Sequence, residues 1–149
     1  MKITPERERL IQEKFEINHF PRMLGIEIDS VEEGRAVLSV EVREELKQLQ
    51  GVMHGGAIAS LIDTAVAFAI VGASEPEDRF TTVEMKVNYL SAIRAGRVTA
   101  EARLIRDGRR IIVAECDVFD DKGRLAAKGL LTYIRLNERK NKENDAEKG

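Results

Sequence analysis

The stretch 51–71, GVMHGGAIASLIDTAVAFAIV, constrains the fold more than any other part of the chain. Nearly every residue in it is small or apolar, so a helix built from it must be buried around most of its circumference. A histidine and an acid nonetheless sit inside it, and both need a reason to be there. At about 100° per residue, Ile58, Leu61, Ile62, Ala65, Phe68 and Ala69 gather on one broad apolar face. Gly56, Ala59, Ser60, Asp63, Thr64 and Ala67 form a second face that is small and partly polar. The first face suits a core, and the second admits the close approach of something else.

The segments around this helix change period. Thr4 and Pro5, with Glu6 and Glu8 behind them, predict a surface helix start, and Leu10, Ile11, Phe15 and Ile17 give it a narrow apolar stripe. Pro21 is expected to terminate it at His19-Phe20-Pro21. Alternation from Leu24 to Asp29, a turn at Glu32-Glu33-Gly34, and Ala36, Leu38, Val40 and Val42 on alternate positions predict a hairpin. Beyond the central helix, four more alternating runs follow. They carry Val83, Met85, Val87 and Tyr89; Val98, Ala100, Ala102 and Leu104; Ile112, Ala114, Cys116 and Val118; and Leu125, Ala127, Gly129, Leu131 and Tyr133. The order is helix, two strands, one long helix, four strands, an α+β class in which one antiparallel sheet covers one helix. A single sheet covers the apolar face and leaves the Asp63 face open. A second copy across a two-fold axis is the simplest cover, because small residues let helices approach closely.

Composition narrows the partners. Basic and acidic residues, 24 and 26, nearly cancel, so no nucleic-acid or membrane-surface footprint is expected. One cysteine and two histidines argue against a disulfide framework and a zinc site, and with a polar N-terminus they predict a soluble cytoplasmic protein. Residues 1–20 are expected to form an N-terminal helical segment, 21–136 the single domain, and 137–149 a disordered charged tail.

Two places suit chemistry. Asp63 lies among residues too small and uncharged for a solvent face, which is the environment a general base or nucleophile needs. Gly55 and Gly56 open the helix, where free N–H groups and the positive end of the dipole can receive a developing oxyanion. Eight residues separate Gly55 from Asp63, about 12 Å of helix rise. That is too far for one carbonyl and its attacking water, so the two ends must be completed by a partner helix running the other way.

The run GVMHGGAIASLIDTA, preceded by FPRMLGIEI and followed by VEMKVNYLSAIRAG and GRLAAKG, resembles the hotdog-fold thioesterases of the PaaI-like, phenylacetate-pathway type. The resemblance implies a hotdog fold, a curved antiparallel sheet wrapped around one long central helix. It implies hydrolysis of an aryl- or alkyl-CoA thioester by a homodimer with composite sites, paired into a homotetramer as a dimer of dimers. No metal or cofactor is implied beyond the CoA of the substrate. Position by position, Asp63 is then the base or nucleophile, Gly55 the backbone donor to the thioester oxygen, His54 a supporting polar group, and Thr82 a residue that positions water. Gln48 stands where the family usually has Asn. Gly56, Tyr89, Leu90, Ser91 and Arg94, with Arg106, Arg109 and Arg110 around the Asp107-Gly108 turn, fall on the family's substrate and CoA segments. Two other readings fit the same residues: a hotdog enoyl-CoA hydratase or hydroxyacyl dehydratase, and a non-catalytic acyl-CoA-binding domain.

Overall fold

A computed structural model describes residues 1–137. The first helix, α1 (Pro5–Glu16), is capped by the Thr4 hydroxyl, which accepts the Arg7 N–H at 3.2 Å. Only Ile11 and Phe15 of its stripe are buried, the Phe15 ring edge-on to Phe68 with centroids 5.6 Å apart. Leu10 and Ile17 stay exposed. Pro21 does not end a helix. It lies within a short second one, α2 (His19–Met23), as its third residue. In a first turn the missing N–H costs no hydrogen bond, so the residue reads as a breaker only if it is placed at a helix end.

The hairpin of β1 (Glu27–Glu32) and β2 (Arg35–Glu41) follows, β1 starting three residues later than the alternation suggests. A short turn of 3-10 helix, Glu44–Leu46, leads to α3 (Gly55–Ala73), and then come β3 (Phe80–Tyr89), β4 (Arg97–Asp107), β5 (Ile111–Phe119) and β6 (Leu125–Arg135). The strands form one six-stranded sheet in the order β1-β2-β4-β5-β6-β3, every pairing antiparallel.

Helix α3 lies across this sheet and touches all six strands, most closely β2 and β4. Ile58, Leu61, Ile62, Ala65, Phe68 and Ala69 are all buried, as their spacing predicts, together with Val66 and Ile70. They meet the inward residues Ala36, Leu38, Val40, Val98, Ala100, Ile112, Ala114, Cys116, Val118 and Leu131. At β6 the approach depends on Gly129, where a Cβ would come within 2.8 Å of the Ile62 Cγ2 methyl. The C-terminal end of α3 is closed by Arg7, which donates to the carbonyls of Val71, at 2.8 Å, and Ser74. In α3 the described residues have one helix long and apolar enough to span a membrane; its buried face against the sheet accounts for that hydropathy.

The two sheet edges are β1 and β3. Strand β3 differs from the strands with which it shares a pattern. Its alternation is clear in the sequence, yet Val83, Met85 and Tyr89 are 60%, 38% and 52% exposed. A residue at an edge that α3 barely reaches has no second layer to bury it. The tail expected from residue 137 lies outside the described residues except for Asn137, whose side-chain oxygen accepts the Arg79 N–H at 2.7 Å.

Candidate active site

Asp63 is half-buried in the middle of α3, on the face of Ala59, Ser60 and Ala67. The hydroxyls on that face are turned back onto their own helix: Ser60 donates to the Gly56 carbonyl at 2.8 Å and Thr64 to the Ser60 carbonyl at 2.7 Å. Asp63 instead reaches the sheet. Its Oδ1 accepts from the Thr82 hydroxyl on β3 at 2.9 Å and from the Tyr133 hydroxyl on β6 at 2.5 Å. Thr82 and Tyr133 are cross-strand partners, so one rung of the sheet supplies both donors. No ion pair reaches Asp63 among the described residues. Burial, then the charge of Asp63, push the Tyr133 phenol well above its ordinary ionisation range, so it stays a donor.

Tyr133 carries no signal in the sequence beyond its place on a core alternation. An inward tyrosine does, however, need a partner for its hydroxyl, and an acid on the facing helix is the partner to look for. Thr82, expected to position water, bonds the Asp63 carboxylate itself.

The other end of α3 is built by His54 and Tyr89. His54 is the N-cap residue, its Nδ1 accepting the Gly56 N–H at 2.8 Å. Of the two glycine N–H groups expected to be free, Gly56 is therefore taken. The Gly55 N–H meets no acceptor among the described residues. Tyr89 donates to the Gly55 carbonyl at 2.9 Å. Beside Gly55 lies an open pocket of about 260 Å³ walled by Val52, Ile58, Tyr89, Leu90 and Ser91. The α3 dipole points its positive end at this space. Gln48 lines an adjoining hollow with His54, but its side chain is held by Gln50, accepting the Gln50 N–H and donating to Gln50 Oε1 at 3.3 Å.

The two ends are not joined within one chain. About 12 Å of helix rise separates Gly55 from Asp63, and the basic residues divide the same way. Arg94 precedes β4 on the Gly55 side, whereas Arg106, Arg109 and Arg110 sit at the far end of the same strand. Eleven residues of strand put about 33 Å between those ends. The far cluster lies at the end of the sheet that carries Tyr133: Ile112 pairs with Tyr133, and the Arg110 carbonyl accepts the Arg135 N–H at 2.8 Å. All four arginines are exposed. Among the described residues no three His, Cys, Asp or Glu side chains converge in a metal-binding group.

Comparison with known proteins places this arrangement. Residues 50–127 match the family model described as the thioesterase superfamily. A 1,4-dihydroxy-2-naphthoyl-CoA hydrolase of Listeria monocytogenes is 34% identical over 117 residues, 78% of this chain and 95% of that protein. The medium/long-chain acyl-CoA thioesterase YigI of Escherichia coli is 30% identical over 143 residues, 85% of this chain and 92% of its own. Among solved structures, the PaaI protein of the E. coli phenylacetic acid degradation operon superposes with a TM-score of 0.82 at 23% identity, covering 89% of this chain and 95% of that one. The matched segment runs from the loop ahead of α3 into β6 and so contains Asp63, Thr82, Gly55 and the pocket beside Gly55. The chain belongs to the thioesterase superfamily and is a thioester hydrolase with the hotdog fold of the PaaI-like type.

Proposed function

We propose that the protein hydrolyses an acyl-CoA thioester, aryl or alkyl, to the free acid and CoA, with Asp63 as the reactive carboxylate. The observation that carries this reading is the Asp63 side chain itself, drawn off a small-residue helix face and held by Thr82 and Tyr133 at 2.9 and 2.5 Å. An acid used only for solubility has no need of two side-chain donors from the sheet, one of them buried. Relatives named for CoA-ester hydrolysis support the substrate class.

In the general-base route Asp63 takes a proton from water as the water oxygen bonds to the thioester carbonyl carbon. The carbonyl oxygen becomes an oxyanion and accepts from the Gly55 N–H. The C–S bond then breaks, the CoA sulfur takes up the proton, and the acid leaves. In the nucleophilic route Asp63 attacks the same carbon, CoA departs, and water hydrolyses the mixed anhydride. No metal or further cofactor enters either route.

The reading includes a homodimer, because Gly55 and Asp63 are too far apart to serve one carbonyl in one chain. Two features support it: the unpaired β3 edge with exposed Val83 and Met85, and the small-residue face of α3 that its own sheet leaves half open. With helices antiparallel, the partner's Gly55 end faces Asp63. The partner's Arg94 then comes to the same side as Arg106, Arg109 and Arg110, where together they can receive CoA phosphates. Pairing of dimers into a homotetramer, and a cytoplasmic location, belong to the same reading.

Mixing two inactive variants tests it. Asp63→Asn and a bulky Gly55→Val variant are each expected to lose nearly all hydrolysis across a panel of aryl- and alkyl-CoA esters. Unfolded and refolded together, they should regain about a quarter of wild-type activity, since half the dimers are mixed and each has one intact site. No recovery would place both groups in one chain, and an active Asp63→Asn would remove Asp63 from the chemistry.

A further inference from the structure

Both hydrogen bonds to the Asp63 side chain end on one oxygen. Thr82 and Tyr133 each donate to Oδ1, and Oδ2 accepts from no described residue. The two donors are not equivalent. Thr82 stands exposed on the edge strand, next to a register shift between Thr82 and Glu84. Tyr133 is 3% exposed, on a strand paired on both sides, to Thr82 of β3 and Ile112 of β5. Its ring packs edge-on to Phe80, centroids 6.0 Å apart. Its hydroxyl also lies 2.9 Å from the main-chain oxygen of Asp63, so the phenol is registered against this one residue of the helix twice over. A phenol has one proton to give, and the carboxylate is the stronger acceptor.

We propose that Tyr133 is a positioning residue for thioester hydrolysis: by binding Oδ1 it fixes the plane of the Asp63 carboxylate and leaves Oδ2 as the single oxygen offered to water or to the thioester carbonyl. The inference rests on the reading of Asp63 as the reactive group. A carboxylate held by neither donor rotates about Cβ–Cγ and exchanges its oxygens. One held by Thr82 alone follows whatever motion the edge strand has. A reacting atom misplaced by about 1 Å costs on the order of 100-fold in rate, so the rigid inner strand is the better anchor. Tyr133 donates to the charged Asp63 carboxylate from a buried strand, so deleting its hydroxyl has a readable effect on the pH profile.

Tyr133→Phe keeps the ring against Phe80 and deletes the hydroxyl. The expected result is a fall in kcat of about 10- to 100-fold with KM for the acyl-CoA ester unchanged, and an acid limb of the kcat profile moved to higher pH, since a donor favouring the charged carboxylate is gone. Phe80→Leu serves as the packing control: it disturbs the same ring and leaves the hydroxyl, and it should lower the melting temperature without moving the acid limb. If Tyr133→Phe does not fold, 3-fluorotyrosine incorporated at position 133 retains ring and hydroxyl with a more acidic phenol, and the acid limb should then move to lower pH. Wild-type kcat and an unmoved limb in Tyr133→Phe, or an unmoved limb with the fluorinated residue, while Asp63→Asn is inactive, would overturn the role of Tyr133 alone. An active Asp63→Asn would overturn the reading beneath it.

Discussion

Tyr89 is stacked on the first turn of α3 so closely that Gly55 has no room for a side chain to spare: the hydroxyl donates to the Gly55 carbonyl at 2.9 Å, and a Cβ at Gly55 would sit 3.3 Å from the ring carbon Cζ. Alanine is the better helix former by about 1 kcal/mol, and the exposed Tyr89 ring can yield by a few tenths of an ångström. Gly55→Ala is therefore expected to fold with an unchanged or slightly raised melting temperature. Its kcat/KM should fall by about tenfold or more, because the displaced ring is a wall of the pocket. Thermal unfolding and steady-state kinetics on the same preparation check both halves.

Gly129 answers to a different constraint. A Cβ there would lie 2.8 Å from Ile62 Cγ2, in a strand and helix that cannot move apart without opening the core. Gly129→Ala is expected to destabilise by about 1–3 kcal/mol, read as a lower denaturant midpoint with the same slope. A midpoint equal to wild type would mean that α3 sits less tightly on β6 than a 2.8 Å approach requires.

Arg135 is buried, with its guanidinium on Asp78 at 3.1 Å, on Asp107, and on the Ser74 hydroxyl at 3.1 Å. It ties the end of α3 and the following loop to the turn that carries Arg106, Arg109 and Arg110. Arg135→Met leaves the buried Asp78 carboxylate, and the more accessible Asp107, without that cation and is expected to cost about 3 kcal/mol, measured by equilibrium unfolding. Asp78→Asn with Arg135→Met should recover part of the loss.

The Tyr133 phenol titrates well above its usual value because burial, and then Asp63, disfavour the phenolate. For a group whose folded value is raised, the stability contribution is whole below the unfolded value of about 10 and is lost as pH climbs beyond it. Unfolding free energy should therefore fall above pH ~10, and less so in Tyr133→Phe. Absorbance titration of the two tyrosines should contain a late component that Tyr133→Phe removes.

Lysines at Val83 and Met85 would place charge on the open edge of β3. The double variant is expected to sediment as a monomer and to lose hydrolysis while keeping its far-ultraviolet spectrum. A fully active monomer would contradict the composite site.

The sequence by itself determined the order of the six strands around α3, the α+β class and the buried face of α3, since period and composition are local and helix and strand repeats differ; it missed α2, whose five residues are too few to show a period. It also singled out Asp63, because an acid among small uncharged residues is a local anomaly. Tertiary structure decided the rest. Whether a patterned strand is buried depends on its neighbours, and β3 has the pattern of a core strand and the exposure of an edge. Whether a glycine N–H is free depends on the residue before it, and His54 takes that of Gly56 and leaves Gly55. Tyr133 and Asp63 are seventy positions apart, and only the register of β6 beside β3 under α3 brings the phenol to the carboxylate. No spacing along the chain encodes such a meeting, because the distance between two residues on different elements is set by how those elements pack.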